Sequence, residues 1–169
     1  MKTALLVIDM QQKFYNRGGV FKETYDSAIE YINRAIKLFD SKELPVYMIY
    51  HIDEEDGLIP GTEGYEFHKG IKKNRNHKKI DKRYGNAFNK TTLNKDLKED
   101  GVSNLIITGY CAEYCVLSSY RGALDNDFSP ALLRGALASG VRNHIKFVED
   151  INEVISYGVM ESLITIQGK

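Results

Sequence analysis

The sequence predicts an α/β fold of three layers, with a mostly parallel central sheet of five to six strands between two layers of helices. Short continuous apolar runs such as Ala4–Ile8 and Leu105–Ile107 have the pattern of strands buried on both faces. Between such runs lie amphipathic stretches with apolar residues at three- and four-residue spacing. The two kinds of segment alternate, and strand–helix–strand units return each strand parallel to the one before. The chain has 169 residues, against ~100–200 for a typical domain, and reads as one domain over 1–169.

Ala4–Met10 is the first strand, an apolar run that ends at an acid, Asp9. Ser27–Phe39 follows as an amphipathic helix, with Ala28, Ile29, Ile32, Ala35, Ile36 and Phe39 as its stripe. Ser27 and Glu30 are spaced as a capping box at its start. Pro45 introduces a second strand, Val46–Tyr50, rich in β-branched and aromatic residues. Residues 53–79 are polar and glycine-bearing without a period, a loop length typical of functional or mobile segments. A short strand is expected around Lys79–Asp81. Leu93 and Leu97 mark a short helix that stops at Gly101. Leu105–Gly109 is a strong strand signal that runs into Tyr110–Cys115, after which Val116, Leu117, Tyr120, Ala123 and Leu124 form a helical stripe. Ala131–Leu133 is a further strand. The tail from Val141 mixes helix with a last strand at Val154–Ser156, without sharp boundaries.

Composition narrows the function classes. Hydrophobic residues are 43% and charged residues 27%, which excludes a disordered tail or a disulfide miniprotein. Lys+Arg and Asp+Glu are 23 each, so the chain has no overall positive field for nucleic acid or anionic membrane. No apolar run approaches the ~18 residues of a transmembrane helix. The N-terminal run is too short for a signal segment and no small-residue cleavage site follows it. A cytoplasmic protein with two reduced cysteines is expected.

In parallel sheets the ligand sits beyond the carboxyl ends of the strands. That rule groups Asp9, Tyr50–His51 and the Gly109–Cys115 loop. Cys115 opens a helix, where the partial positive charge lowers a thiol pKa and free N–H groups can form an oxyanion hole. A small core thiol is the commoner use of such a residue. Cys111 and Cys115 are four apart with no second pair, which fits neither a redox Cys-x-x-Cys nor a zinc knuckle. Asp9 must be solvated or paired, as a structural carboxylate or as a base. Lys82 lies in a run where eight of the 15 residues from Lys69 to Arg83 are Lys or Arg. A solvated loop is one reading of that run and nucleic-acid contact another. Against the second stand the nearby Asp53-Glu54-Glu55-Asp56 and the absence of any nucleic-acid motif.

Three blocks carry a resemblance. Val7-Ile8-Asp9-Met10-Gln11-Gln12-Lys13-Phe14, Lys82 through Leu93, and Gly109 through Val116 are, in order and spacing, similar to the isochorismatase-like cysteine hydrolase superfamily. That group includes nicotinamidases, carbamoylsarcosine amidases and isochorismatases, and the resemblance spans residues 1 to about 136. It implies Asp9 as general base, Cys115 as nucleophile and Lys82 as the cation that holds the pair. It also implies a non-proline cis peptide between Tyr110 and Cys111, with the N–H groups of Cys111 and Cys115 as oxyanion hole. Phe14, inside the first block, is expected to face the substrate. The implied activity is hydrolysis of a C–N bond in a small amide or imide, by a homo-oligomer (dimer or tetramer) with no membrane or nucleic-acid partner.

Two departures matter. Nicotinamidases of the superfamily build a metal site on Asp-x-His after the second strand, with a further His downstream. Here the order is reversed as His51-Ile52-Asp53, with His68 later. These three could hold zinc or iron, but a surface His beside an acidic turn is commoner, so no cofactor is expected. The late Asp-Ala of the family stands here as Gly135-Ala136. A non-catalytic member of the fold, binding a metabolite or a protein, is the alternative function.

Overall fold

A computed structural model describes residues 2–167. Six strands form one sheet: β1 (Lys2–Ile8), β2 (Val46–His51), β3 (Lys78–Lys82), β4 (Val102–Tyr110), β5 (Ser129–Ala138) and β6 (Val154–Ile155). Their order is β3-β2-β1-β4-β5-β6, and every pairing is parallel. The helices are α1 (Gln12–Tyr15), α2 (Gly19–Ser41), α3 (Leu93–Glu99), α4 (Leu117–Asp125), α5 (Arg142–Asp150) and α6 (Tyr157–Gln167).

The period of two along each strand divides the core into two layers. Leu5 and Val7 of β1, with Val46, Met48 and Tyr50 of β2, pack against Ala28, Ile32, Ala35 and Phe39 of α2 and against Met160 and Ile164 of α6. Ala4, Leu6 and Ile8, with Tyr47 and Ile49, face Leu93 and Leu97 of α3, Tyr120 and Ala123 of α4 and Val148 of α5. Covering both faces explains why the central strands read as unbroken apolar runs.

Three elements differ from the sequence-based expectation. The first long helix begins at Gly19 rather than Ser27. Its stripe continues backward through Thr24 and Tyr25, both buried, so Ser27 and Glu30 share cap spacing inside an unbroken helix. β5 runs for ten residues instead of Ala131–Leu133. Its register jumps, with Ile107 opposite Leu132 and Gly109 opposite Leu137, so the intervening residues bulge out of the ladder. The long loop after β2 is anchored: Leu58, Tyr65, Phe67 and Ile71 are buried in the α2-side layer.

The basic run is largely neutralised in place. Lys73 pairs with Glu66, Lys78 with Asp100, Lys79 with Asp81, Lys82 with Asp9 and Arg83 with Glu54. Among the described residues no helix is long and apolar enough to cross a membrane.

β1 and β4 are neighbours at the centre of the sheet, where the strand order changes direction. The chain therefore leaves their carboxyl ends toward opposite sides, and a crevice opens between them.

Candidate active site

Asp9 stands at the mouth of that crevice. It follows β1 directly and takes φ +50°, a left-handed conformation that Asp tolerates better than most residues. Its N–H donates to the Ile49 carbonyl at 2.9 Å, and the buried Tyr25 hydroxyl donates to its own carbonyl at 2.8 Å. The side chain is thus aimed by two neighbours, one from the sheet and one from α2.

Lys82, the last residue of β3, reaches across to it. Nζ lies 2.8 Å from Asp9 Oδ2, with the side chains 0% and 1% exposed. A buried pair of this kind persists only if both charges stay well matched. Burial would lower the Lys82 pKa, but Asp9 and Cys115 outweigh it and hold the ammonium above its ordinary value. The second carboxylate oxygen, Oδ1, is buried without a hydrogen-bond partner. Such an atom is costly to bury idle and is open to receive a proton.

Cys115 sits on a π-helical turn, Ala112–Val116, that joins β4 to α4. Its Sγ, the Asp9 carboxylate and a ring nitrogen of His51 all lie within 4.8 Å of one another. The expectation that a helix N-terminus lowers the thiol pKa is overturned. Burial, and then the Asp9 charge, push the thiol well above its ordinary value, and Lys82 offsets them only in part. The sulfur therefore rests as a thiol beside a carboxylate. Val116 N–H donates to the Cys111 carbonyl at 3.1 Å, so Cys115 N–H, one residue earlier, belongs to the stretch where intrahelical acceptors run out.

The peptide between Tyr110 and Cys111 is cis. Around it Glu113 gathers three donors. Cys111 Sγ donates to Oε2 at 2.9 Å, and Ser139 Oγ and His144 Nδ1 lie 3.0 and 2.7 Å from Oε1. Burial raises the Glu113 carboxyl, but these bonds outweigh it and hold its pKa below the ordinary value. Burial and Glu113 together push the Cys111 thiol up to about 12. Ser139 is tied in turn to α2, its carbonyl accepting from Thr24 Oγ1 at 2.7 Å.

Phe14, expected to face substrate, is only 7% exposed. Its ring lies 4.6 Å from that of Tyr110 and 5.1 Å from the Arg17 guanidinium.

The three residues considered for a metal do not converge. His51 Nδ1 is 3.1 Å from Lys82 Nζ. Asp53 Oδ1 accepts from the N–H groups of Glu55 and Asp56. His68 Nδ1 accepts from Gly70 N–H at 3.1 Å, and its ring packs against that of Tyr15 at a tilt of 40°. Among the described residues the converging donor set is Asp9, His51 and Cys115, and the Lys82 ammonium stands against two of its members. A buried cation at that point opposes a second one, so these residues do not fit a resident metal.

Asp9, Lys82 and Cys115 are thus brought together from β1, β3 and the turn after β4. Sequence reasoning grouped His51 with the site by its place at a strand end but gave it a role only as a metal ligand, and gave Glu113 and Gln11 none. Gln11 Oε1 accepts from His51 N–H at 2.9 Å, and its Nε2 donates to the His51 and Tyr65 carbonyls at 3.0 and 2.8 Å. The available signal was an amide side chain two residues after the acid, at the mouth of the sheet.

Comparison with known proteins agrees with the fold. The sequence profile of the isochorismatase domain matches residues 3–153. The isochorismatase family protein YddQ of Bacillus subtilis (strain 168) is 29% identical over 142 residues, covering 82% of this chain and 79% of that protein. The pyrazinamidase of Pyrococcus horikoshii, solved in complex with zinc, superposes with a TM-score of 0.82 at 24% identity, covering 93% of this chain and 100% of that one. The N-carbamoylsarcosine amidase of Thermoplasma acidophilum gives 0.79 at 20% identity, covering 92% and 95%.

Proposed function

The chain belongs to the isochorismatase family, and from that membership we propose that it hydrolyses a C–N bond of a small amide or imide through a cysteine nucleophile. The observation that carries this reading is the buried, unpartnered Asp9 Oδ1 in a cluster with Cys115 Sγ, its sister oxygen held by Lys82. Pyrazinamidase and carbamoylsarcosine amidase, both named for amide substrates, share the fold and support the reaction class.

In the proposed sequence Cys115 Sγ attacks the carbonyl carbon as its proton passes to Asp9. The developing oxyanion is received by the N–H groups of Cys111 and Cys115. Asp9 then returns the proton to the leaving nitrogen, the C–N bond breaks, and a thioester remains on Cys115. Water attacks the thioester and gives a proton to Asp9. The C–S bond breaks, the acid departs, and the proton goes back to the sulfur. Lys82 pairs with Asp9 and holds it in place throughout. Because the thiol rests protonated, proton transfer and attack proceed together. No metal takes part in these steps.

A homo-oligomer is part of the proposal. Val159, Leu163 and Ile166 form an exposed apolar stripe on α6, a surface of the kind that subunit contacts cover.

The test is a panel of amides and imides, pyrazinamide and N-carbamoylsarcosine included, with wild type beside Cys115→Ala. Turnover in the wild type and a loss of at least about a thousandfold in the variant is the expected result. Equal turnover by both proteins would overturn the proposal.

A further inference from the structure

His51 is built into the site more firmly than a loop histidine needs to be. It closes β2 and pairs in register with Lys82 of β3. Its backbone is held on both sides by one side chain, Gln11, which accepts from its N–H and donates to its carbonyl. Gln11 is itself wholly buried. The ring is fixed as well, with Nδ1 3.1 Å from Lys82 Nζ.

That last contact determines where the ring proton sits. An ammonium offers three N–H donors and no acceptor. One donor of Lys82 serves Asp9 Oδ2, and the one facing His51 needs an acceptor. Nδ1 must therefore be unprotonated, which leaves a neutral ring with its proton on Nε2. Burial first, and then the Lys82 charge, lower the His51 pKa and favour the same neutral form, against Asp9, Asp53 and Asp56.

Nε2–H has no partner among the described residues, and it is not one of the buried polar atoms left without a bond. It is therefore not fully buried, and it belongs to a half-buried ring. That ring lies within 4.8 Å of both the Cys115 sulfur and the Asp9 carboxylate. A carbonyl carbon seated at the sulfur would therefore lie beside this ring, whose free hydrogen-bonding group is Nε2–H.

We propose that His51 is a substrate-contacting residue whose Nε2–H donates a hydrogen bond to an acceptor atom beside the scissile carbonyl, either a second carbonyl oxygen or an unprotonated ring nitrogen. The proposal rests on the amide-hydrolase reading above and narrows its substrate class. An amide with an acceptor at that place is preferred. One with an N–H or ammonium group there meets donor with donor and is rejected, because a site built around a fixed donor discriminates strongly against a group that cannot accept.

Picolinamide and benzamide test this, since they differ by one ring nitrogen next to the carboxamide carbon. Wild type is expected to favour picolinamide in kcat/KM by about tenfold or more. His51→Leu should bring that preference down toward unity, read as the ratio of the two kcat/KM values within the variant, whatever happens to either value alone. His51→Gln, which retains both a donor and an acceptor, should restore most of it. A preference unchanged in His51→Leu overturns the proposal, and turnover unchanged in Cys115→Ala overturns the underlying reading instead.

A second measurement needs no turnover. In ¹⁵N-histidine-labelled Cys115→Ser protein at pH 7, the His51 ring should be neutral with its proton on Nε2, and that N–H should shift with picolinamide but not with benzamide. A proton on Nδ1, or no response of His51 to picolinamide, overturns the proposal whatever the activity.

Discussion

Gly109 lies so close to Ile8 that a Cβ built on it would overlap the Ile8 backbone, carbonyl oxygen first. The two residues pair across the central strands β1 and β4, and Gly109 has φ +116°. Only glycine satisfies both the space and the angle. Gly109→Ala should therefore cost at least about 3 kcal/mol, because the obstacle is backbone that cannot rotate away. Urea denaturation of the variant checks this, and a stability within about 0.5 kcal/mol of wild type would refute it.

The Asp9–Lys82 pair makes a distinct prediction about coupling. Lys82→Met alone leaves a buried carboxylate unmatched and should destabilise by about 3–5 kcal/mol. Adding Asp9→Leu removes the stranded charge, so the double variant should be more stable than Lys82→Met, though inactive. A double-mutant cycle in urea measures the difference, and simple additivity of the two losses would count against the pairing.

How much of this was legible in the sequence differs from one element to the next. β1, β2 and β4 are readable because both faces are covered, leaving runs that no surface segment would carry. The start of α2 is not, since Ser27 and Glu30 copy a cap while the determining contacts, Tyr25 to the Asp9 carbonyl and Thr24 to Ser139, join residues distant in sequence. β5 is truncated in a sequence reading because the bulge around Gly135 interrupts its alternation. Asp9, Lys82 and Cys115 are picked out by short sequence blocks. The pairing of His51 with Lys82 depends on the β2–β3 register, and the contacts of Glu113 on where β5 ends and α5 begins. No local pattern carries either.

Glu113 supplies a pH dependence. Its carboxyl is held below the ordinary value in the folded protein. Its stabilising share is therefore present above the unfolded carboxyl pKa of ~4.3 and lost as pH falls through the lower folded value. Glu113→Gln should cost about 1–3 kcal/mol near neutrality, and the gap from wild type should close toward pH 3. Denaturation curves at pH 7, 5 and 3 read this out. A gap that widens on acidification would show that the sign is wrong.

The resting thiol of Cys115 makes a prediction about labelling. With its pKa raised by burial and by Asp9, the thiolate fraction at pH 7 falls below that of a free cysteine, whose pKa is ~8.5. Iodoacetamide should thus alkylate Cys115 more slowly than free N-acetylcysteine at pH 7. The rate should keep rising at pH values where the free thiol has levelled off, and Lys82→Met should slow it further. Mass-spectrometric timing of adducts on Cys115 is the measurement, and rapid labelling that is flat from pH 6 to 9 would contradict it.

Strand order has a consequence for how activity first appears. The site needs β1 beside β4 and β3 outside β2, so its parts come from opposite halves of the chain. Pairings of such long sequence separation close late, because loop entropy must be overcome before they form. Helical signal during refolding should therefore precede catalysis, and regain of turnover should mark closure of the sheet's centre. In this molecule the enzyme assay would double as a stopwatch for the last step of folding.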